Sequence, residues 1–375
     1  MSTKAALLTP AGRGAIATVR VEGDHAVEIV ESLFRSATNR KISEQPLGRI
    51  LFGQWQSTAE HHEELVVCHT EKHSVEVQCH GGVAAVDAIL SSLEKSGCDV
   101  VDWPEMLITA DLIEREARID LASATTERTA AILLDQLNGA LSNELKTIID
   151  LLRCNISESL ARIERLLSNS DVGLHLVNPW RVVIAGAPNV GKSSLINAIL
   201  GFERAIVFDQ PGTTRDVVTG HTALDGWPIE LSDTAGIRTS NDRLEMAGVE
   251  FARKQMEKAD LIVHVIAANE ATSASDLQID EAKPTITVFN KCDLSTSGSF
   301  PDGSIQTVAT TGDGVNALIQ RVVETLVPCS PKDGEPIPFT KRQVSHLQSA
   351  VHRLRLNKTD DAETSLLAIL ENAPE

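Results

Sequence analysis

A chain of 375 residues is long enough to bury two or three separate cores, which excludes a small single module. Its 42% hydrophobic and 23% charged residues are ordinary for a globular protein, and no apolar run approaches the about 20 residues that cross a bilayer as a helix. A formal net charge of −18 opposes non-specific attraction to phosphate backbones, so any nucleic-acid contact requires a local basic surface.

The opening residues Met1-Ser2-Thr3-Lys4-Ala5-Ala6-Leu7 lack a charged region followed by an apolar run, so no secretory signal is expected and the cytoplasm is the default, with no membrane partner. Six cysteines (Cys68, Cys79, Cys98, Cys154, Cys292 and Cys329) are scattered without a C-x-x-C pair and predict reduced thiols, with neither zinc nor disulfides.

In chain order, residues 1–110 mix extended runs (Ile16–Val21, Arg49–Trp55, Leu65–His69, Val75–Cys79) with helical ones (His25–Phe34, Val83–Lys95), predicting a small α/β domain. Residues 111–176 change to long amphipathic stretches, Ala130–Leu152 and Ile156–Leu167, which predict helices until Asn178-Pro179 breaks the pattern. Residues 177–330 alternate short apolar and helical runs, the pattern of a doubly wound parallel sheet. Its strands are expected at Arg181–Ala185, Ile229–Ser232, Leu261–Ile266, Thr285–Asn290 and Ile305–Ala309. In residues 331–375, after a proline-rich link from Pro328 to Pro338, Phe339–Asn372 reads as helical. Its basic residues Lys341, Arg342, Arg353, Arg355 and Lys358 stand beside Asp360, Asp361 and Glu363, and are expected on a solvated helix face.

The chemistry lies in the third segment. Gly186-Ala187-Pro188-Asn189-Val190-Gly191-Lys192-Ser193 follows an apolar strand and opens a helix, the context in which a glycine-rich loop wraps phosphates with backbone amides. Asn189, Val190, Gly191, Lys192, Ser193 and Ser194 are the candidate phosphate-binding residues; Lys192 is placed to reach the β- and γ-phosphates and Ser193 to ligate Mg²⁺. Asp233-Thr234-Ala235-Gly236 ends a second apolar strand, where Asp233 is placed to hold Mg²⁺ through water and the Gly236 amide to contact a γ-phosphate. Asn290-Lys291-Cys292-Asp293 ends another strand, and a carboxylate there accepts two hydrogen bonds from guanine that adenine has no donor pair to make.

This order of motifs resembles that of the translation-factor-type GTPases, which implies GTP as the nucleotide, Asp293 as the guanine discriminator, and Asn290 and Lys291 as braces for the base. Thr307-Val308-Ala309 stands where those proteins carry Ser-Ala, implying an Ala309 amide aimed at guanine O6. Between the first two motifs, Gly212-Thr213-Thr214-Arg215-Asp216 resembles the corresponding loop of the MnmE (TrmE) family of tRNA-modifying GTPases, and Thr214 would complete the Mg²⁺ shell. Thr9-Pro10-Ala11-Gly12-Arg13-Gly14-Ala15-Ile16, Arg20 and Cys79-His80-Gly81-Gly82 resemble that family's folate-binding domain.

The resemblance implies an α/β fold, with a P-loop doubly wound GTPase domain inserted in a helical domain and preceded by a small folate-binding-like α/β domain. It further implies a homodimer, an FAD-dependent partner protein, tRNA as substrate, and 5-formyl-tetrahydrofolate bound near Arg20, His80 and Gly81. Hydrolysis would rest on Lys192, Asp233, Gly236 and Glu245. Ile237 occupies the place where other GTPases carry a water-orienting glutamine, and the resemblance implies that Glu245 takes that role while K⁺, held partly by Asn189, replaces an arginine finger. The chain closes on Glu371-Asn372-Ala373-Pro374-Glu375 without the family's terminal cysteine motif, so a shortened, divergent member is expected. Two functions stay open: wobble-uridine modification in tRNA, or a regulatory or scaffold GTPase paralogue that has lost that chemistry.

Overall fold

Along Ile16–Glu22 the residues Ala17, Val19 and Val21 are buried and those between them are not, a period of two that fits a strand with one covered face. The computed structural model describes residues 2–10, 12, 14–56, 62–107, 109, 111–202, 219–233, 253–270, 282–295 and 300–371. Two compact units, Met1–Thr109 and Ala110–Glu375, make up the chain.

The first unit is a seven-stranded sheet of β1 (Lys4–Leu7), β2 (Ile16–Glu22), β3 (Phe34–Ser36), β4 (Ile50–Gln56), β5 (His62–Glu71), β6 (Ser74–His80) and β7 (Asp99–Val100). Their order is β3-β4-β5-β6-β2-β1-β7, antiparallel except for β1 beside β7. Helices α1 (Ala26–Leu33) and α2 (Val83–Lys95) supply Val30, Ile89 and Leu93 to a core with Val19, Val21, Trp55, Val67 and Val77. Trp55 donates its indole hydrogen to Ser92 Oγ at 2.9 Å, so the buried ring leaves no polar atom unpaired. Strands β1, β3 and β7 escape the sequence pattern because two to four residues are too few to show alternation.

The second unit begins with α3 (Leu112–Leu121), α4 (Glu127–Leu137), α5 (Ala140–Leu151), α6 (Ile156–Ser168) and α7 (Ser170–Leu174). The side chains of Asp111, Thr126 and Asn155 accept backbone N–H bonds at the starts of α3, α4 and α6. The stretch expected as one helix over Ala130–Leu152 is two, because Gly139 adopts φ 97° and turns the chain between them.

A six-stranded sheet follows: β8 (Trp180–Ala185), β9 (Thr219–Leu224), β10 (Trp227–Asp233), β11 (Leu261–Ala267), β12 (Thr285–Asn290) and β13 (Ile305–Thr307). The order is β13-β12-β11-β8-β10-β9, with β9 antiparallel and the other neighbours parallel. Its central strands carry nearly continuous apolar runs because both faces are covered. Helices α8 (Lys192–Phe202) and α9 (Val315–Leu326) pack against this sheet. Strand β13 stops at Thr307, short of the expected Ala309, because Val308 leaves the ladder to bridge Asp313.

The chain closes with α10 (Lys341–Arg355) and α11 (Thr359–Leu370), separated by Asn357 at φ 57° rather than joined as one helix. Helix α10 packs on α6 and α11, and α11 on α3 and α5. Of the basic residues expected on a solvated face, Lys341, Arg355 and Lys358 are exposed, while Arg342 and Arg353 are engaged in this packing. Arg342 forms a two-pronged pair with Glu116 (2.7 and 2.8 Å) and caps the Ala368 and Ile369 carbonyls of α11. Arg353 donates to Asp361 O and Ser365 Oγ, and Arg355 pairs with Glu164 at 2.8 Å. Where α7 meets the sheet, His175 stacks on Trp180 with ring centroids 3.6 Å apart, and its Nε2 lies 3.5 Å from Asp260 Oδ2.

Candidate nucleotide site

Strand β8 lies between β10 on one side and β11 on the other, so the connections leave its carboxyl end in opposite directions and open a crevice there. The loop after β8 fills that crevice. Gly186 has φ 156°, and a Cβ there would stand 2.2 Å from Val265 O. Gly191 has φ 97°, and its Cβ would meet Asn290 Nδ2 at 2.3 Å. Both positions therefore require glycine, which leaves the backbone as the lining of the loop. Asn189 holds φ 66° without being glycine.

Lys192, the first residue of α8, is only 5% exposed and donates Nζ hydrogens to Gly186 O and Ala187 O, both at 2.9 Å. Ser193 Oγ donates to Asp233 Oδ2 at 2.8 Å, and Asp233, the last residue of β10, is 3% exposed. This hydroxyl and carboxylate, held side by side at a helix N-terminus, are the hard oxygen donors that a small divalent cation takes alongside a polyphosphate.

The base-side motif is tied to the phosphate loop by two bonds. Asn290 Nδ2 donates to Val190 O at 2.9 Å and Lys291 Nζ to Asn189 O at 2.6 Å. Asn290 Oδ1 accepts from Thr307 Oγ1 at 3.2 Å and from the Ala309 amide at 3.1 Å. Asp293 sits exposed in a single 3-10 turn, Cys292–Leu294, beyond Lys291 at φ 60°. Asn189, Val190, Gly191, Lys192, Ser193, Asp233, Asn290, Lys291 and Ala309 thus meet around one crevice, while Ser194 is exposed on the first turn of α8. Thr214, Gly236 and Glu245 lie outside the described residues.

Two parts of this arrangement escape the sequence motifs. The Thr307 hydroxyl orients the Asn290 side chain, which no spacing rule requires. The hairpin of β9 and β10 lies outside the expected strands, although Asp225-Gly226 between two strand-like runs is its ordinary signature.

In the first unit, Arg20 and His80 lie on one face of the β2–β6 pair but are not neighbours, since His80 is opposite Ile16 and Arg20 is opposite Glu76. Arg20 pairs with Glu76 at 2.7 Å, and its Nε is buried without a partner. His80 Nδ1 is 3.2 Å from Glu63 Oε1. Gly81 is required by packing, because a Cβ there would lie 2.3 Å from Gly14 O.

Comparisons with known proteins follow the same division. The family described as "GTP-binding protein TrmE N-terminus" matches residues 3–102, and "50S ribosome-binding GTPase" matches residues 181–291. The tRNA modification GTPase MnmE of Geobacillus thermodenitrificans (strain NG80-2) is 36% identical over 341 residues, covering 78% of this chain and 73% of that protein. The MnmE of Alkaliphilus metalliredigens (strain QYMF) is 34% identical over 337 residues, covering 78% and 73%. That of Geotalea uraniireducens (strain Rf4) is 32% identical over 408 residues, covering 96% and 88%. With both units matched in order and the nucleotide crevice in place, the chain belongs to the MnmE (TrmE) family and is a P-loop GTP hydrolase.

Proposed function

We propose that this chain couples GTP hydrolysis to modification of the wobble uridine of tRNA, as a homodimer working with an FAD-dependent partner protein in the cytoplasm. The observation that carries the nucleotide half is the junction of Ser193, Asp233 and Lys192 with the Asn290–Lys291 brace. The tRNA half rests on relatives named as tRNA modification GTPases over most of both chains, which favours it over a paralogue that has lost the chemistry.

Within unit 2, the proposal divides residues 111–176 and 331–375, as one helical domain, from an inserted GTPase domain at 177–330. The packing of α10 and α11 on α3, α5 and α6 supports this, since helices from both ends of the unit are neighbours. The domain before them, residues 1–110, is assigned the family's folate. Arg20 Nε, buried without a partner, is a donor suited to an acceptor atom of that ligand.

For hydrolysis, Ser193 and Asp233 would hold Mg²⁺, directly and through water, with Thr214 as a further ligand. Bound there, the ion would supply positive charge against the phosphate oxygens. The Lys192 ammonium exchanges the Gly186 and Ala187 carbonyls for β- and γ-phosphate oxygens. The loop amides meet the same phosphates, with the Gly236 amide at the terminal one. Asp293 accepts from guanine, and Asn290 and Lys291 hold that motif against the loop. Asn189 would help hold K⁺ in place of an arginine finger, and Glu245 would position the attacking water.

The test is expression in bacteria lacking their own MnmE, with modified wobble uridine quantified in total tRNA by mass spectrometry. Wild type should restore the modification and Lys192→Ala should not. If modification stays absent while purified protein still turns over GTP in K⁺, the paralogue reading replaces this one.

A further inference from the structure

The sheet of unit 2 is tied to its helices at a point remote from the phosphate loop. Strands β9 and β10 form a hairpin whose two turn residues both have positive φ, Asp225 at 49° and Gly226 at 77°. The N-terminus of α4 sits on this turn. Thr126, the N-cap residue, donates its hydroxyl to Gly226 O at 2.7 Å while accepting from Thr129 N at 3.2 Å. Arg128 places Nη1 3.3 Å from Asp225 Oδ2 and 3.4 Å from Ser330 Oγ, and its guanidinium lies 5.4 Å from the centre of the Trp227 ring. A Cβ on Gly226 would come within 3.1 Å of Arg128 Cβ, so helix and turn are in direct contact. Leu224 and Trp227, the residues flanking the turn, are each 1% exposed.

The opposite end of the same hairpin is the nucleotide end. Asp233 closes β10, and Ser232 is opposite Thr219, the first residue of β9. At about 3.3 Å per residue the hairpin spans roughly 20 Å. Its ladder runs unbroken from Thr219 to Leu224, so continuous pairing links the nucleotide end of the hairpin to its turn. The hydrogen bond from Ser193 to Asp233 ties the end of β10 to α8, and a cation held by Ser193 directly and by Asp233 through water would displace that bond. Any shift of Asp233 along its strand is then felt at Asp225-Gly226.

We propose that Thr126 and Arg128 are positioning residues for GTP hydrolysis. With the Asp225-Gly226 turn they form a joint that passes displacement of Asp233 to α4, and through which the helices in turn set the position of Asp233. The joint rests on the GTPase reading and adds the route by which the helices sense the nucleotide. Coupling of this kind is reciprocal: loosening the joint weakens the response of the helices to nucleotide while leaving the nucleotide's own contacts in place.

The experiment is amide hydrogen exchange on the full chain with Mg²⁺ and either GDP or a non-hydrolysable GTP analogue, with GTP turnover and GDP affinity measured on the same samples. In wild type, the amides of α4 should exchange at different rates in the two nucleotide states. In Thr126→Val and in Arg128→Gln that difference should disappear while GDP affinity stays within about twofold, and Arg128→Lys, which keeps the charge beside Asp225 and Trp227, should restore part of it. Asp225→Asn, altered on the hairpin side, should reduce the difference without touching the helix. A wild-type protein with no nucleotide-dependent difference in α4, or variants that keep the full difference, would overturn the joint. A wild type that binds GDP and shows the α4 difference but never turns over GTP would instead overturn the hydrolase reading, and the positioning role with it, while leaving the route by which the helices sense the nucleotide.

Discussion

Asp293 stands exposed at the tip of its turn, with Lys291 and Asn290 below it fastened to the phosphate loop. Its carboxylate is thus free to meet a base, whereas its neighbours do the bracing. Asp293→Asn keeps the shape but puts an amide where two acceptor oxygens stood, so guanine nucleotide affinity should fall by about 10- to 100-fold in a fluorescent-nucleotide titration, equivalent to losing hydrogen bonds to a charged group. Gly186→Ala has a different cost. The added Cβ would overlap Val265 O at 2.2 Å, so the loop must shift and nucleotide binding should be lost, with a lowered melting temperature as well. Asn189 is exposed and keeps φ 66°; replacing it by alanine, which is strained there, should lower K⁺-stimulated turnover by more than it lowers GDP affinity.

At the scale of elements, the strands leading into the glycine loop and the base motif were legible because their apolar runs are long and each ends on chemistry with a fixed spacing. Strand β9 was not, since Thr219–Leu224 is an edge strand with Gly220 and His221 interrupting the pattern. The break at Asn138-Gly139 was hidden for a related reason: apolar spacing continues through it, and only the positive φ of Gly139 marks the turn. Gly139→Ala should destabilise unit 2 by about 1 kcal/mol in denaturant unfolding, since alanine is strained at that φ. Lys341 and Arg355 of α10 are exposed as expected, but Arg342 and Arg353 are not, because charge counts carry no information about partners across the fold. Arg342 joins α10 to Glu116 of α3 and to the last turn of α11. Arg342→Ala leaves the half-buried Glu116 carboxylate with only the Gln343 and Thr340 donors and uncaps two carbonyls, and should lower stability by about 2–3 kcal/mol.

Over the whole molecule, the excess of acidic residues leaves a carboxylate where it is hard to ionise. Burial, and then the neighbouring Glu116, raise Asp120 from 3.8 to about 6. A carboxyl that ionises less readily folded than unfolded costs stability above pH 6, and the cost fades as pH falls through 6 toward 3.8. Asp120→Asn should therefore raise stability at pH 7.5 by about 1–2 kcal/mol, after allowing for partial exposure, and by nothing near pH 4. Asp260 shows the opposite balance: burial pushes it up, but bonds from His175 and the Arg181 amide, with the Lys283 charge, hold it below the usual range.

The chain contains four tryptophans and no tyrosine, so its near-ultraviolet emission comes from four indoles alone. Trp55 and Trp103 belong to the first unit, while Trp180 is stacked on His175 and Trp227 lies beneath Arg128. Half of the emitters therefore sit where the helices of the second unit grip its sheet, and the protein carries a label-free optical gauge of that grip. Replacing Trp55 and Trp103 by phenylalanine would leave a spectrum whose colour and intensity report on those contacts alone.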